Sequence, residues 1–206
     1  VSQGALDSFK MIENYDKKEY YVIPNLINTK EIKEKMHEKS DIKVDNKKVN
    51  IVTVGRLCHQ KGIDIMINNL KELTKYRSDF HLYIIGDGPL KETLNNQVNK
   101  LKMNNYITFL GNQKNPFKYL KEMDLFYLSS RYEGQGMVIL EAMSVGLDVL
   151  IPKHLEKYCP PVKGSDDTIN YLKNYKKISK QKFNDLREYN ENIMKKLDEL
   201  WTVKEV

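Results

Sequence analysis

The sequence predicts an α/β fold, a parallel β-sheet sandwiched by helices, and three observations carry that reading. Short β-branched or aromatic runs alternate with stretches whose apolar residues recur at helical spacing, from about residue 49 to residue 151. Glycines follow the strand-like runs, at Gly55, Gly86, Gly88, Gly111 and Gly134. The chain has 206 residues, 40% hydrophobic and 30% charged, which suits one globular domain with additional segments. Alternation of this kind gives parallel strands, because each connection has to cross one face of the sheet.

The elements follow in order. Residues 20–24 read as a short extended segment. Asn28 stands three residues before Glu31 and caps a helix that reaches about Lys39. Residues 41–48 are polar and Lys-rich, an exposed loop. Residues 49–54 are β-branched and stop at Gly55, a strand. Residues 62–76 form a helix with Ile63, Ile65, Met66, Ile67, Leu70 and Leu73 on one face. Residues 80–85 form the next strand, and Pro89 suits the first turn of a helix carrying Leu90, Leu94, Val98 and Leu101. Residues 106–110 form a strand closed by Gly111, 116–123 a short helix, 124–128 a strand, 136–144 a helix and 148–151 a strand. Two helices close the chain, over 166–174 and over 180–201, the second amphipathic with Lys on its outer face.

Composition excludes several function classes. No apolar run is long enough to span a membrane, and no secretory signal is visible; the chain begins at Val1, which reads as a cut or processed start. Cys58 and Cys159 are too few for a disulfide scaffold or a structural zinc site, and His37, His59, His81 and His154 lack metal-ligand spacing. There is no P-loop, no dinucleotide glycine fingerprint, no Asp-x-Asp clamp and no nucleophile elbow. The net charge of +6 suits an anionic partner. Nucleic acid is not that partner, because the Lys-rich stretches 43–48 and 173–182 lack an ordered aromatic platform. Arg is scarce, at Arg56, Arg77, Arg131 and Arg187, against 30 Lys. Two of the four stand beside loop glycines, where a rigid guanidinium can grip phosphate or carboxylate.

Two constellations carry chemistry. In Gly55-Arg-Leu-Cys-His-Gln-Lys-Gly62, a loop between strand and helix lets Arg56 and Lys61 converge on one anion at the helix start; the same segment also fits a solvated turn with incidental charges. In Arg131-Tyr-Glu-Gly-Gln-Gly-Met-Val-Ile-Leu-Glu141, Glu133 and Glu141 are aimed by a loop-to-helix turn toward one cleft. Gly134 and Gly136 allow close backbone approach, and free N–H groups at the helix start can bind an anion. Paired carboxylates beside an anion site suit a polyhydroxyl ligand. Glu141, among Leu140, Ala142 and Met143, needs a partner if its helix is buried.

With these residues assembled, the chain resembles the nucleotide-sugar-binding half of retaining glycosyltransferases of the GT-B fold, the family-four or group 1 type. The resemblance rests on Gly55-Arg-Leu with Lys61-Gly62, on Ile85-Gly-Asp-Gly-Pro89, on Phe109-Leu-Gly111, and on Glu133 and Glu141 with seven residues between them. It covers roughly residues 1 to 151. It implies a Rossmann-like sheet, the C-terminal half of such an enzyme, with residues 1–24 an interdomain segment, 25–178 the donor-binding domain and 179–206 a closing amphipathic helix. Arg56 and Lys61 match the basic pair that holds the donor diphosphate. Glu133 matches the acid facing the donor sugar, and Glu141 the acid on the ribose. Gly55 is implied in donor binding, and Gly111, Asn112 and Gln113 would border the base. Gly134, Gln135, Gly136 and Met137 offer backbone N–H groups to sugar and phosphate. Glu133, Arg56 and Lys61 are the residues implied in catalysis. Arg131, outside the strict motif, is assigned as a partner of Glu133, and Asp87 as structural.

The implied activity is transfer of a sugar from a nucleotide-diphosphate sugar to a glycan or lipid-linked acceptor, with retention, without a metal or other cofactor. The acceptor would be held by a missing N-terminal domain, so the chain alone is expected to be inactive. The implied setting is polysaccharide biosynthesis in the cytoplasm, with peripheral contact at the inner face of the membrane through the last helix. The alternative is a non-catalytic nucleotide- or sugar-binding regulatory module. It draws on departures from the family pattern: Gly146-Leu-Asp148 where the family has Gly-x-Pro, and a segment at 152–161 without glycine.

Overall fold

The computed structural model describes residues 7, 23–159, 162–177 and 186–202. The expected segment at 20–22, most of the interdomain segment at 1–24, and residues 178–185 at the start of the last helix lie outside them. Helix α1 (Thr29–Met36) is capped as its sequence dictates. The Asn28 side chain accepts the Glu31 N–H at 3.1 Å and donates to the Glu31 carboxylate at 3.2 Å. There follow β1 (Val49–Val54), α2 (Ile63–Leu73), β2 (Phe80–Ile85), α3 (Lys91–Lys100), β3 (Ile107–Gly111), α4 (Phe117–Leu120), β4 (Leu125–Tyr127), α5 (Met137–Val145), β5 (Asp148–Leu150), α6 (Thr168–Asn174) and α7 (Arg187–Thr202).

All five strands are parallel, in the order β3-β2-β1-β4-β5. The chain builds outward from β1 to β3, then returns to the other side of β1 for β4 and β5. The connections leaving β1 and β4 therefore diverge, and a crevice opens at their carboxyl ends.

Side chains alternate across the strands and feed two cores. Val49, Ile51, Phe80, Leu82, Ile84, Leu125 and Tyr127 pack under α2, α3 and α6. Val52, Tyr83, Ile85, Phe126 and Leu128 pack under α1, α4 and α5. Each fully buried aliphatic side chain contributes ~1.5–3 kcal/mol relative to exposure. Helix α5 is apolar nearly all round because it is buried nearly all round. It runs between Gly136 (φ 65°) and Gly146 (φ 88°), both left-handed. Helix α7 lays Tyr189 and Ile193 toward the domain, and its Asn190 amide clasps both the N–H (3.0 Å) and the carbonyl (2.8 Å) of Ile27.

Three sequence expectations need correction. The helix placed over 116–123 is the single turn of α4, because the Asp124 N–H is drawn to the Asn50 carbonyl (2.8 Å) to start β4. Helix α1 ends at Met36 rather than near Lys39. There the Lys121 ammonium takes the carbonyls of Met36 (2.7 Å) and Glu38 (2.8 Å), and the Asn115 amide that of Lys35 (2.8 Å). Ile65, counted on the apolar face of α2, is exposed. Two 3-10 segments, His59–Lys61 and Lys153–Tyr158, had no sequence signal.

Candidate functional site

Two loops meet in the crevice, the one leaving β1 (residues 55–62) and the one leaving β4 (residues 128–136), and they are laced together. The Ser129 hydroxyl donates to the carbonyl of Gly62 (2.8 Å), the Arg131 N–H to that of Gln60 (2.8 Å), and the Gln60 amide to that of Tyr132 (3.2 Å). The approach is so close that a Cβ on Gly62 would stand 2.1 Å from the Ser129 carbonyl oxygen, and Gly62 also sits at φ +60°. Only glycine meets both conditions.

Arg131 does not serve Glu133, as the sequence reading had it. Its N–H is fixed on Gln60, which turns the side chain to the start of α2. There the guanidinium grips both oxygens of Asp64 (2.8 and 2.6 Å) and reaches the His59 carbonyl (2.8 Å). The hydrogen bonds from Arg131 hold the Asp64 carboxyl below its ordinary range.

Glu133 instead pairs with Lys61, Nζ to Oε1 at 2.7 Å, with the Glu133 side chain 6% exposed and that of Lys61 19%. The Ser130 hydroxyl donates to the same Oε1 at 2.6 Å. Among the described residues Glu133 Oε2 has no hydrogen-bond partner. An ammonium has three N–H donors; the one on Glu133 leaves the others available.

Arg56 is exposed, and its guanidinium has no hydrogen-bond or ion-pair partner among the described residues. It borders a cleft of about 420 Å³ with Gly55, Gly86, Asp87, Asn112 and Gln113, at the ends of β1, β2 and β3. That volume falls within the range of small-ligand sites. The Gln113 amide is committed to its own loop, donating to the Leu110 carbonyl (2.6 Å) and accepting from the Tyr119 hydroxyl (3.0 Å). Asn112 is exposed. Gly111 ends β3 with φ +69°, and its carbonyl accepts the Gly86 N–H at 2.8 Å. Asp87 accepts from the Gly88 N–H (2.7 Å) and the Lys91 ammonium (2.9 Å), and Lys91 leads the groups that lower its carboxyl pKa.

Around the second motif, Gly134 is exposed while Gly136 is buried against Cys159, whose sulfur would stand 2.7 Å from a Cβ there. Burial first, then the nearby Glu133 charge, pushes the Cys159 thiol up to about 12, so this cysteine packs as a neutral side chain. No side chain caps the start of α5 at Gly136 and Met137. Burial raises the pKa of the Tyr189 phenol on α7, and the Gln135 side chain facing it opposes that rise. The Glu141 side chain, one turn into α5, is half-buried and has no hydrogen bond among the described residues. Burial raises its pKa, against the opposing charge of Lys35 on α1.

Neither Glu133 nor Glu141 lines the cleft beside Arg56. The site thus has an open side at β1 to β3 and a compact side where Lys61, Glu133 and Ser130 meet. Sequence reasoning missed Asp64, Ser129 and Ser130. Two adjacent hydroxyls directly after the apolar strand β4 were the available signal. Among the described residues no group of His, Cys, Asp and Glu could hold a metal ion, and no helix is long and apolar enough to cross a membrane.

Comparison with known proteins gives the following. The family model described as "Glycosyl transferases group 1" matches residues 32–155. An uncharacterized glycosyltransferase of Methanocaldococcus jannaschii is 34% identical over 149 residues, 69% of this chain and 35% of its own length. A 4-alpha-N-acetylgalactosaminyltransferase of Campylobacter jejuni, named for an N-acetylgalactosamine-N,N'-diacetylbacillosaminyl-diphospho-undecaprenol substrate, is 28% identical over 153 residues, 74% of this chain and 40% of its own length. The chain therefore spans well under half of these relatives. Among solved structures, S. aureus TarM, crystallised with UDP among its ligands, superposes with a TM-score of 0.63 at 20% identity, over 82% of this chain and 33% of that one.

Proposed function

The chain belongs to the glycosyl transferases group 1 family and has a Rossmann-like sheet of the GT-B kind; from that premise we propose that it is the donor-binding part of a retaining hexosyl- or related glycosyltransferase. In this reading a sugar leaves a nucleoside-diphosphate carrier for a glycan or lipid-linked acceptor. The observation that carries it is the Lys61–Glu133 pair at the switch point of the sheet, with the Arg56 side chain unpartnered on the same loop leaving β1.

A nucleotide base lies in the cleft by Gly111, Asn112 and Gln113, with Glu141 accepting ribose hydroxyls. Arg56 and the spare N–H donors of Lys61 bind the diphosphate. Glu133 Oε2 accepts from a hydroxyl of the sugar. When the bond between the anomeric carbon and the phosphate oxygen breaks, the electron pair leaves with the diphosphate. Its growing charge is met by Arg56, Lys61 and the N–H groups from Gly134 to Met137. Preorganised donors of this kind are worth ~2.7–4 kcal/mol each in the transition state. With two side-chain cations supplying the neutralisation, the reading needs no metal. The acceptor is held by a second domain, so this chain binds donor without transferring sugar. The names of relatives, an N-acetylgalactosaminyltransferase and a UDP-bound TarM, support a nucleotide-sugar donor.

Calorimetric titration with UDP-, GDP- and ADP-sugars tests the reading. One base is expected to bind, and Lys61→Ala to weaken that binding at least about tenfold, the loss of one charged hydrogen bond. A folded sample that binds none of them contradicts it.

A further inference from the structure

We propose that Ser130 is a positioning residue that fixes which oxygen of Glu133 meets the donor sugar. The inference rests on reading Glu133 as the sugar-facing acid. Its basis is that both protein donors to this carboxylate land on one atom. The Ser130 hydroxyl reaches Oε1 at 2.6 Å and the Lys61 ammonium reaches the same Oε1 at 2.7 Å. Oε2 is left with no protein partner among the described residues. A carboxylate free to rotate would offer either oxygen; this one is held with Oε1 occupied and Oε2 presented.

The two donors are not equivalent. Lys61 is a cation beside the place assigned to the diphosphate, so an arriving donor competes with Glu133 for it. Ser130 is neutral, wholly buried, and already spends its single proton on Oε1. Its 2.6 Å contact has the length of a hydroxyl bonded to a charged carboxylate. Ser130 therefore keeps Glu133 oriented while Lys61 is shared.

Ser130 is itself held in place from both sides. The Ser129 hydroxyl before it is fixed on the Gly62 carbonyl, and the Arg131 N–H after it on the Gln60 carbonyl. Its own carbonyl lies 3.1 Å from the His154 Nε2, which donates there as the Nε2–H tautomer. The backbone on which the hydroxyl turns is pinned at three points by two separate segments, the 55–62 loop and His154, so the contact to Oε1 is built into the fold.

The test compares two ligands on one protein. For the sugar nucleotide that binds tightest among UDP-glucose, UDP-N-acetylglucosamine, GDP-mannose and ADP-glucose, its dissociation constant is measured against that of the matching nucleoside diphosphate. The ratio reads the sugar contact, and a partly unfolded variant affects both ligands equally. Ser130→Ala is expected to lower the preference for the sugar nucleotide about tenfold, with the diphosphate bound as before. Ser130→Thr, which keeps the hydroxyl, is expected to retain the preference, and Glu133→Gln to abolish it. If Glu133→Gln abolishes the preference and Ser130→Ala preserves it, the role of Ser130 is overturned while the reading of Glu133 stands. Equal losses for both ligands in Ser130→Ala also overturn it. If Glu133→Gln leaves the preference intact, or the unsubstituted chain binds no member of the panel, the reading of the site falls and this inference with it.

Discussion

At the amino ends of the strands, Asp124 accepts the Asn50 N–H (2.8 Å) and the Lys177 ammonium (2.8 Å), and the Tyr175 hydroxyl donates to Asp148 (2.7 Å). At the carboxyl ends of the same strands, Lys61 and Ser130 crowd one oxygen of Glu133, while the side chains of Arg56 and Glu141 reach no hydrogen-bond partner among the described residues. Both edges carry partly buried charge. At the first, charges are matched to protein groups, and burial together with Asp148 holds the Tyr175 phenol well above its ordinary range. At the second, the loops are joined by hydrogen bonds yet leave a carboxylate oxygen and two ammonium N–H groups without a protein partner among the described residues, with the Arg56 guanidinium exposed to solvent nearby in sequence. Buried or half-buried polar groups without partners cost stability. The amino edge pairs its charges but leaves the Asn50 Oδ1 buried without a partner among the described residues; the carboxyl edge leaves charged groups open at the topological switch point, where the proposed nucleotide site lies.

That contrast can be broken from either side. Asp124→Ala has the largest expected effect on stability, about 2 kcal/mol, because it leaves the Asn50 N–H without its acceptor, while the exposed Lys177 keeps the Asn46 carbonyl. Thermal unfolding should drop accordingly, with nucleotide affinity of the folded protein unchanged. Arg56→Ala should do the reverse. Its guanidinium is exposed and unpartnered, so unfolding should shift by less than ~0.5 kcal/mol, while diphosphate affinity falls about tenfold in titration.

Glu141→Gln has the smallest effect and the most informative sign. The folded pKa of Glu141 is raised by burial, so its charged form opposes folding above that pKa. The substitution should raise the melting temperature near neutral pH. The gain should fade as pH falls toward the ordinary carboxylate range, where Glu141 is neutral in both states. Nucleotide affinity should fall at the same time.

Much of the frame was legible because local chemistry and tertiary context agree. Val49–Val54 is β-branched and stopped by Gly55, and the strand has those limits. Asn28 and Glu31 form the cap that their spacing announces. The two Glu residues with seven between them pointed to the second loop, and Glu133 is at the centre of the compact side. What was not legible depends on contacts between distant segments. Arg131 could be assigned to Asp64 only by knowing that its N–H bonds to Gln60. The 3-10 turn at Lys153–Tyr158 carries no periodic pattern, yet it leads to Cys159 beneath Gly136. That Glu141 feels only the charge of Lys35 on α1 and has no side-chain hydrogen bond among the described residues reflects the spatial arrangement around α5, which its sequence neighbours do not disclose.

The most direct test of the central claim maps where a nucleotide binds. In an amide-resolved NMR titration with the nucleoside diphosphate that the chain prefers, shifts are expected at residues 55–62, 111–113 and 133–141. Residues 45–50 and 170–177, at the opposite edge, should stay still. Shifts concentrated at that opposite edge, or none at the carboxyl-end loops, would contradict the account.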